Sequence, residues 1–183
     1  MRITSCFKCD LCLSRTNIVN GEGAPNAKIM FIGDSPTQRD DKLGKPFVGK
    51  AGIYLSEILL KFNLSRNQQY YITNICKCRS TSEPKEKEID ACLPYLRDEI
   101  REVDPRIIVL LGGTALRAFL GNSALVVAQH RNRWFSFENH NLLVTYHPAY
   151  LMQNPEYLPY FMQDMHKVVD MYRSYNPLHQ TYL

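Results

Sequence analysis

The sequence predicts an α/β fold, a layered domain built around a mostly parallel sheet. Two short apolar runs, at residues 27–33 and 106–112, have the length and composition of buried strands. Segments with helical spacing of apolar residues alternate with strand-like segments along the chain. Because strands that alternate with helices tend to pair in parallel, these two observations together indicate this fold class.

The elements follow in a regular order. After the first strand, apolar residues recur at helical spacing between residues 50 and 62, and a β-rich segment follows at 69–74. A helix at 89–100 contains Pro94, which should kink or delay it. After the strand at 106–112 we expect a helix at 114–120, strands at 134–137 and 142–145, and a closing helix at 161–172.

Composition fits a soluble globular protein of 183 residues, with 45% hydrophobic and 22% charged residues. We expect one domain over residues 1–175 and a frayed tail over 176–183. No apolar run has the length of a membrane span, and the first residues do not resemble a signal peptide, so a cytoplasmic, reducing location is expected. The net charge of +4 permits an anionic partner without requiring one.

Cysteine spacing is the most informative pattern in the chain. A close pair is completed by two distant single thiols, namely Cys6, Cys9, Cys78 and Cys92. Thiolates are soft ligands that suit iron–sulfur clusters or zinc, and the spacing alone leaves both open. Cys92 could also be a core cysteine on an apolar helical face. Cys12 and Cys76 are interpreted as spare thiols, although a cluster that uses either of them is an alternative.

Three segments of chemical interest follow three of the predicted strands. They are residues 33–37, 74–79 and 146–151. In open α/β sheets, ligands bind beyond the carboxyl ends of the strands. The strand prediction by itself therefore places these segments together at one edge of the sheet.

The same segments carry a resemblance that covers residues 5–171. The matching motifs are Cys6-x-x-Cys9 with Leu11 and Arg15, GEG at 21–23, IMFIGDSP at 29–36, GKPFVGKAG at 44–52, NICKCR at 74–79, Cys92, LLGGTAL at 110–116 and YHPAYL at 146–151. Because these motifs occur in the same order and at compatible spacing, the chain resembles the family 4, or iron–sulfur, uracil-DNA glycosylases.

That resemblance implies a three-layer α/β/α fold and the excision of uracil from single- or double-stranded DNA in base excision repair. It implies a structural 4Fe–4S cluster on Cys6, Cys9, Cys78 and Cys92, with zinc as the alternative. A monomer without a membrane partner is expected. A glycosylase must extrude its target nucleotide from the helix, so the site also needs groups that bind DNA.

Two residues are the expected catalytic groups. His147 would donate a hydrogen bond to the base O2 as negative charge develops there, although it could also be a packed strand-end histidine. Asp34 lies where the family has glutamate, and it would orient water or stabilise the cationic sugar. A capping turn residue is the alternative for Asp34.

Four residues are expected to bind the base. Asn74 offers a donor and an acceptor to the pyrimidine edge, and the flat ring of Phe47 could stack on the base. Gly33 and Ser35 belong to the motif that contains Asp34. The alternatives are a strand-end turn for Asn74 and plain core packing for Phe47.

Six residues are expected to contact DNA: Gly49, Lys50, Gly52, Arg131, Arg133 and Leu151. The glycines allow close backbone approach, and the helix that begins near Lys50 offers N–H groups to a phosphate. The two arginines form a basic cluster beside Trp134, which would suit binding to DNA phosphates. The alternative is that this cluster is a solvated turn. Leu151 could wedge into the base stack or pack inward.

Three departures from the family pattern leave the substrate open. Asp34 is shorter than glutamate, Ser35 and Thr37 replace smaller residues, and Met152 and Gln153 follow the His-Pro turn where the family has a positive charge. The alternatives are a glycosylase for another modified or deaminated base, or a uracil-DNA-binding, damage-sensing protein with weak turnover.

Overall fold

Six strands form one sheet in the computed structural model, which describes residues 2–175. They are β1 (Glu22–Gly23), β2 (Ile29–Gly33), β3 (Tyr70–Asn74), β4 (Ile107–Leu111), β5 (Trp134–Phe137) and β6 (His140–Thr145). Their spatial order is β1-β3-β2-β4-β6-β5. The four inner strands pair in parallel, and β1 and β5 pair antiparallel at the edges. The predicted α/β fold with a mostly parallel sheet is confirmed.

Helices connect the strands. They are α1 (Gln38–Leu43), α2 (Lys50–Leu60), α3 (Glu86–Val103), α4 (Gly112–Leu120), α5 (Val127–His130), α6 (Pro148–Gln153) and α7 (Leu158–Tyr175), with short 3-10 turns at Asp10–Leu13 and Pro155–Tyr157. The expectation that Pro94 delays its helix is wrong, since α3 begins well before it and continues past it. Proline removes only the bond to the Asp90 carbonyl, and Asp90 is exposed.

The core lies on both faces of β2 and β4, whose residues are all buried. This is why the two strands read as continuous apolar runs in the sequence. Among residues 2–175, no helix is both long and apolar enough to cross a bilayer. The tail at 176–183, which we expected to fray, lies outside the described residues, and the single domain over 1–175 stays a prediction.

Strand register positions the functional segments. Gly33 at the end of β2 pairs with Asn74 at the end of β3, and Leu111 at the end of β4 pairs with Thr145 at the end of β6. The pairing of β2 and β3 continues beyond the strands, because Ile75 donates its N–H to the Gly33 carbonyl at 2.9 Å. The loops that follow these strands therefore open at the same edge of the sheet.

Candidate active site

One cleft at this edge brings together the predicted catalytic and base-binding side chains. It is lined by Asp34, Ser35, Phe47, Asn74 and His147, with Thr37, Asp40, Gly49, Ala51 and Gly52. Gly33 lies against it, since a Cβ atom there would come within 2.6 Å of both the Asn74 Oδ1 atom and the Phe47 ring. Gly33 is therefore required by the close packing of Asn74 and Phe47.

Asn74 presents its side-chain amide to the cleft. The residue is only 2% exposed, yet no group among residues 2–175 forms a hydrogen bond with its carboxamide. Its backbone carbonyl, in contrast, accepts a bond from Lys77 Nζ at 2.7 Å. A side-chain amide that borders a cleft and has no protein partner can offer its donor and its acceptor to a ligand.

Phe47 is held in a left-handed backbone conformation with φ of 54°. Such a conformation is unfavourable for a bulky residue and is found where surrounding contacts enforce it. Arg66 supplies those contacts, because its guanidinium donates to the Pro46 carbonyl at 2.7 Å and to the Phe47 carbonyl at 2.9 Å. The Phe47 ring lies 6.1 Å from the His147 ring, between centroids. No motif in the sequence indicated Arg66.

His147 is fixed by the start of α6, where it is the N-cap residue. Its Nδ1 atom accepts the N–H of Ala149 at 3.1 Å, so a neutral ring must carry its proton on Nε2. Burial lowers the pKa of His147, and the negative charge of Asp34 opposes that shift. Gly112, with φ of 90°, gives the histidine room, since a Cβ atom there would lie 2.9 Å from the His147 Cβ atom.

Asp34 is half-buried, and its Oδ1 atom accepts the N–H of Ser35 at 2.8 Å. The carboxylate borders the same cleft as His147. Thr37, which replaces a smaller residue of the family motif, has a local role: it caps α1 in a reciprocal pair with Asp40. Its side chain is therefore used in the turn that carries Asp34.

Two glycines that were expected to contact DNA, Gly49 and Gly52, make close contacts within the protein instead. The Gly49 N–H already donates to Asp40 Oδ1 at 3.2 Å, so this amide is used within the protein. A Cβ atom at Gly52 would come within 2.1 Å of the Phe47 carbonyl oxygen, so the close approach at Gly52 is to Phe47 and not to DNA. Lys50 is exposed at the first turn of α2 and stays a predicted DNA contact.

Arg131 and Leu151 also differ from their predicted roles. The Arg131 guanidinium forms a two-pronged ion pair with Asp164 on α7, at 2.8 and 3.1 Å, and it is mostly buried, so it is not free for a phosphate. Leu151 is 0% exposed, because it lies on the inward face of α6, and its inward packing is the alternative that the structure supports. Arg133 is exposed and stays a predicted DNA contact.

A second cavity lies among the cysteines. It is lined by Cys6, Cys9, Cys12, Cys78 and Cys92, together with Lys8, Arg15, Lys77 and Tyr95. Arg15 donates to Cys78 Sγ at 3.3 Å, and the Tyr95 hydroxyl donates to Cys6 Sγ at 3.4 Å. Within residues 2–175, no three cysteine, histidine or acidic side chains converge closely enough for a single metal ion. The four predicted ligands border this cavity, but they do not converge on one point in it.

The two spare thiols occupy different positions. Cys12 borders the cavity, whereas Cys76 is buried beside Cys92. A hydrogen bond from Cys76 lowers the pKa of Cys92 to about 6. The four predicted ligands thus come together around one cavity from positions far apart in the chain, with Cys12 as a fifth neighbour.

Lys77 connects the cavity with the cleft. Its buried Nζ atom donates to the Asn74 carbonyl, to Thr73 Oγ1 at 2.6 Å and to Glu99 Oε2 at 2.6 Å. Glu99 also accepts the N–H of Gly21 at 2.9 Å, so its charge is paired and bonded. Lys77 was part of a matched motif, but its role in holding the end of β3 was not predicted.

The fold and this cleft define a class of protein. The family model of the uracil DNA glycosylase superfamily matches residues 20–169, and the chain belongs to that superfamily. Within it, the chain is 35% identical to a type-4 uracil-DNA glycosylase of Sulfurisphaera tokodaii, over 92% of this chain and 81% of the relative. The resemblance to family 4 is confirmed.

Two further type-4 uracil-DNA glycosylases are similar to nearly the same extent. The one from Thermotoga maritima is 37% identical over 84% of this chain and 81% of its own length. The one from Saccharolobus solfataricus is 34% identical over 94% of this chain and 84% of its own length. The match thus extends over most of each relative.

Proposed function

We propose that this protein removes uracil from DNA by hydrolysing the bond between the base and deoxyribose. The observation that carries the proposal is the side-chain carboxamide of Asn74, which lines the cleft and makes no hydrogen bond to another group of residues 2–175. The edge of uracil has a carbonyl acceptor at O4 and a donor at N3–H, which complement an amide. The type-4 relatives, named uracil-DNA glycosylases, support the same substrate.

Base binding requires that the nucleotide leaves the stack, at a cost of a few kcal/mol. In the cleft, the Phe47 ring would stack on the extruded base while Asn74 bonds its edge. Both groups are already positioned, Phe47 by Arg66 and Asn74 by Gly33 and Lys77. The site therefore needs little rearrangement when the base enters.

Bond cleavage separates charge. As the C1′–N1 bond breaks, its electron pair leaves with the base and the sugar becomes cationic. His147 would donate its Nε2 proton in a hydrogen bond to O2, where the negative charge collects. Asp34 would stabilise the cationic sugar or orient the water whose oxygen bonds to C1′. The water proton is released, uracil takes up a proton, and an abasic site remains.

The direct test is base release from oligonucleotides that contain one uracil, in single strands and in duplexes. Treatment with the protein and then with alkali should cut both at the uracil, because the abasic product is alkali-labile. Asn74→Ala should weaken cleavage strongly, since it removes both bonds to the base edge. Thymine at the same position provides the control substrate.

Other outcomes of this test would replace the proposal. Release of a different modified base, with uracil left intact, would indicate another specificity, which is the alternative that Ser35 and Thr37 suggest. Tight binding of uracil-DNA with no base release, in protein that retains its metal site, would indicate a damage sensor.

We also infer that Cys6, Cys9, Cys78 and Cys92 hold a 4Fe–4S cluster. Support comes from the cavity that these thiols surround, and from the N–H and O–H groups of Arg15 and Tyr95 that bond two of their sulfurs. When bound, the cluster would supply iron–thiolate bonds that join the start of the chain to the loop after β3 and to α3. None of the four thiols lines the cleft, so we assign the cluster a structural role.

Cys78→Ser should remove the cluster and most of the soluble protein together. The wild-type protein, purified without oxygen, should be brown and absorb near roughly 400 nm, as iron–sulfur clusters do. Cys12→Ser is the matched control, because Cys12 borders the same cavity but is outside the inferred ligand set. Iron and sulfide analysis together with the absorption spectrum measures the result.

A colourless protein that carries zinc after anaerobic purification would contradict the iron assignment. Loss of colour in Cys12→Ser to the same extent as in Cys78→Ser would show that the ligand set is different.

A further inference from the structure

Four tyrosines form a continuous ladder of rings that begins next to His147. They are Tyr146, Tyr150, Tyr157 and Tyr160, which we call the tyrosine ladder. Ring centroids are 5.5 Å apart for Tyr146 and Tyr150, which are stacked, 5.2 Å for Tyr150 and Tyr157, and 6.0 Å for Tyr157 and Tyr160. These are distances at which aromatic rings attract one another.

The ladder runs from the active-site edge to the surface. Tyr146 is buried at the end of β6, directly before His147. Tyr150 is 40% exposed and Tyr160 is 50% exposed. Contacts of the 3-10 turn at Pro155–Tyr157 with α6 and α7 explain the inner rings, but they do not explain why Tyr150 and Tyr160 leave so much aromatic surface in solvent.

The guanidinium that contacts the ladder is already paired within the protein. The Arg131 guanidinium lies 5.1 Å from the centre of the Tyr160 ring, but its charge is paired with Asp164. The ladder therefore offers flat ring surface without a free cation among these groups.

We propose that the tyrosine ladder is a stacking platform for unpaired bases that flank the nucleotide in the cleft. Every base has a flat face, so stacking on aromatic side chains tolerates any sequence. In an intact duplex these faces are covered by neighbouring bases, so the platform selects single-stranded or locally opened DNA. This proposal rests on the proposed function in one respect, namely that the nucleotide in the cleft belongs to DNA.

The test is the affinity for labelled single-stranded oligonucleotides that contain no uracil, measured by fluorescence anisotropy. Tyr160→Leu should bind about 5- to 150-fold more weakly, the range that corresponds to one lost stacking contact. Tyr160→Phe keeps the ring and should bind like wild type. Tyr175→Leu changes an exposed tyrosine at the far end of α7 and should also bind like wild type.

A blunt duplex of the same sequence gives the second comparison, for which Tyr160→Leu should change affinity by less than about 3-fold, since paired bases cannot stack on the ladder. Equal losses on both DNA forms, or an unchanged affinity for single strands, would overturn the proposal. If Tyr160→Leu does not fold, as judged by its melting temperature, Tyr150→Leu and Tyr150→Phe provide the same comparison.

Failure of this proposal is distinguishable from failure of the proposed function. The oligonucleotides here contain no uracil, so a protein without glycosylase activity would still show the effect of Tyr160→Leu. Conversely, normal uracil release together with unchanged single-strand affinity in Tyr160→Leu would reject the ladder alone.

Discussion

Replacement of His147 by alanine should lower the rate of uracil release by roughly 10²- to 10³-fold, the usual effect of removing one oxyanion donor. The structure gives the physical reason. The Nδ1 atom of His147 accepts the Ala149 N–H, so the proton of a neutral ring is on Nε2. From there it can be donated in a hydrogen bond to the base O2. Single-turnover kinetics on uracil-containing single strands would measure the loss in the chemical step.

Two variants make this test specific. His147→Gln retains an N–H donor on a shorter, uncharged side chain and should recover part of the rate. His166→Ala changes an exposed histidine of α7 that lies outside the cleft, so it should release uracil normally. A near-normal rate for His147→Ala would remove the donor role and leave His147 as the N-cap residue of α6.

The pH dependence should follow from the same histidine. Burial holds the pKa of His147 below its ordinary value of 6.5, so the ring is neutral at pH 7 and above. If the neutral ring is the active form, kcat/KM should stay level through neutral pH and fall only on the acid side of 6.5. A rate that instead rises as the pH falls through this range would indicate a charged imidazolium donor.

Replacement of Arg131 by alanine should destabilise the fold by about 3–5 kcal/mol, the cost of leaving a buried charge without its partner. Asp164 is 0% exposed, and Arg131 is its only cationic partner among the contacts of residues 2–175. Burial raises the pKa of Asp164 even though Arg131 and Thr145 oppose the shift. The free energy of unfolding, from urea titration at neutral pH, is the measurement.

Arg133→Ala is the matched control for Arg131→Ala. Arg133 lies two residues away and is exposed, so its replacement should leave the free energy of unfolding within about 0.5 kcal/mol of wild type. It should weaken DNA binding instead, with a smaller dependence on salt, if it contacts a phosphate. If Arg131→Ala unfolds like wild type and only loses DNA affinity, the ion pair is not structural.

The sequence was sufficient to predict every strand of the sheet except the short edge strand β1, and to predict that Asn74 and His147 lie close together. Buried parallel strands appear as apolar runs, and the residues that follow them must meet at one edge of the sheet. Phe47 was placed by its motif, although its left-handed backbone was not indicated, since it depends on two hydrogen bonds from the distant Arg66.

The sequence was misleading where a side chain's exposure depends on a partner far away in the chain. Arg131 belongs to a basic cluster in the sequence, which predicts an exposed charge. In the structure its guanidinium is mostly buried because it pairs with Asp164 on α7. Leu151 follows an active-site motif, but helix α6 turns it into the core. Neither burial can be read from local composition, because they depend on the contacts of α6 with α2 and of α7 with β6.

The left-handed conformation of Phe47 has a consequence for how the molecule can change. The backbone of a bulky residue in this region costs on the order of 1–3 kcal/mol. Glycine would relieve that strain, but it would also remove a ring that is only 7% exposed and belongs to the core, at a cost of about 3–5 kcal/mol. The same ring therefore serves the core and the cleft, and the strained backbone is the cost of placing it where it does both.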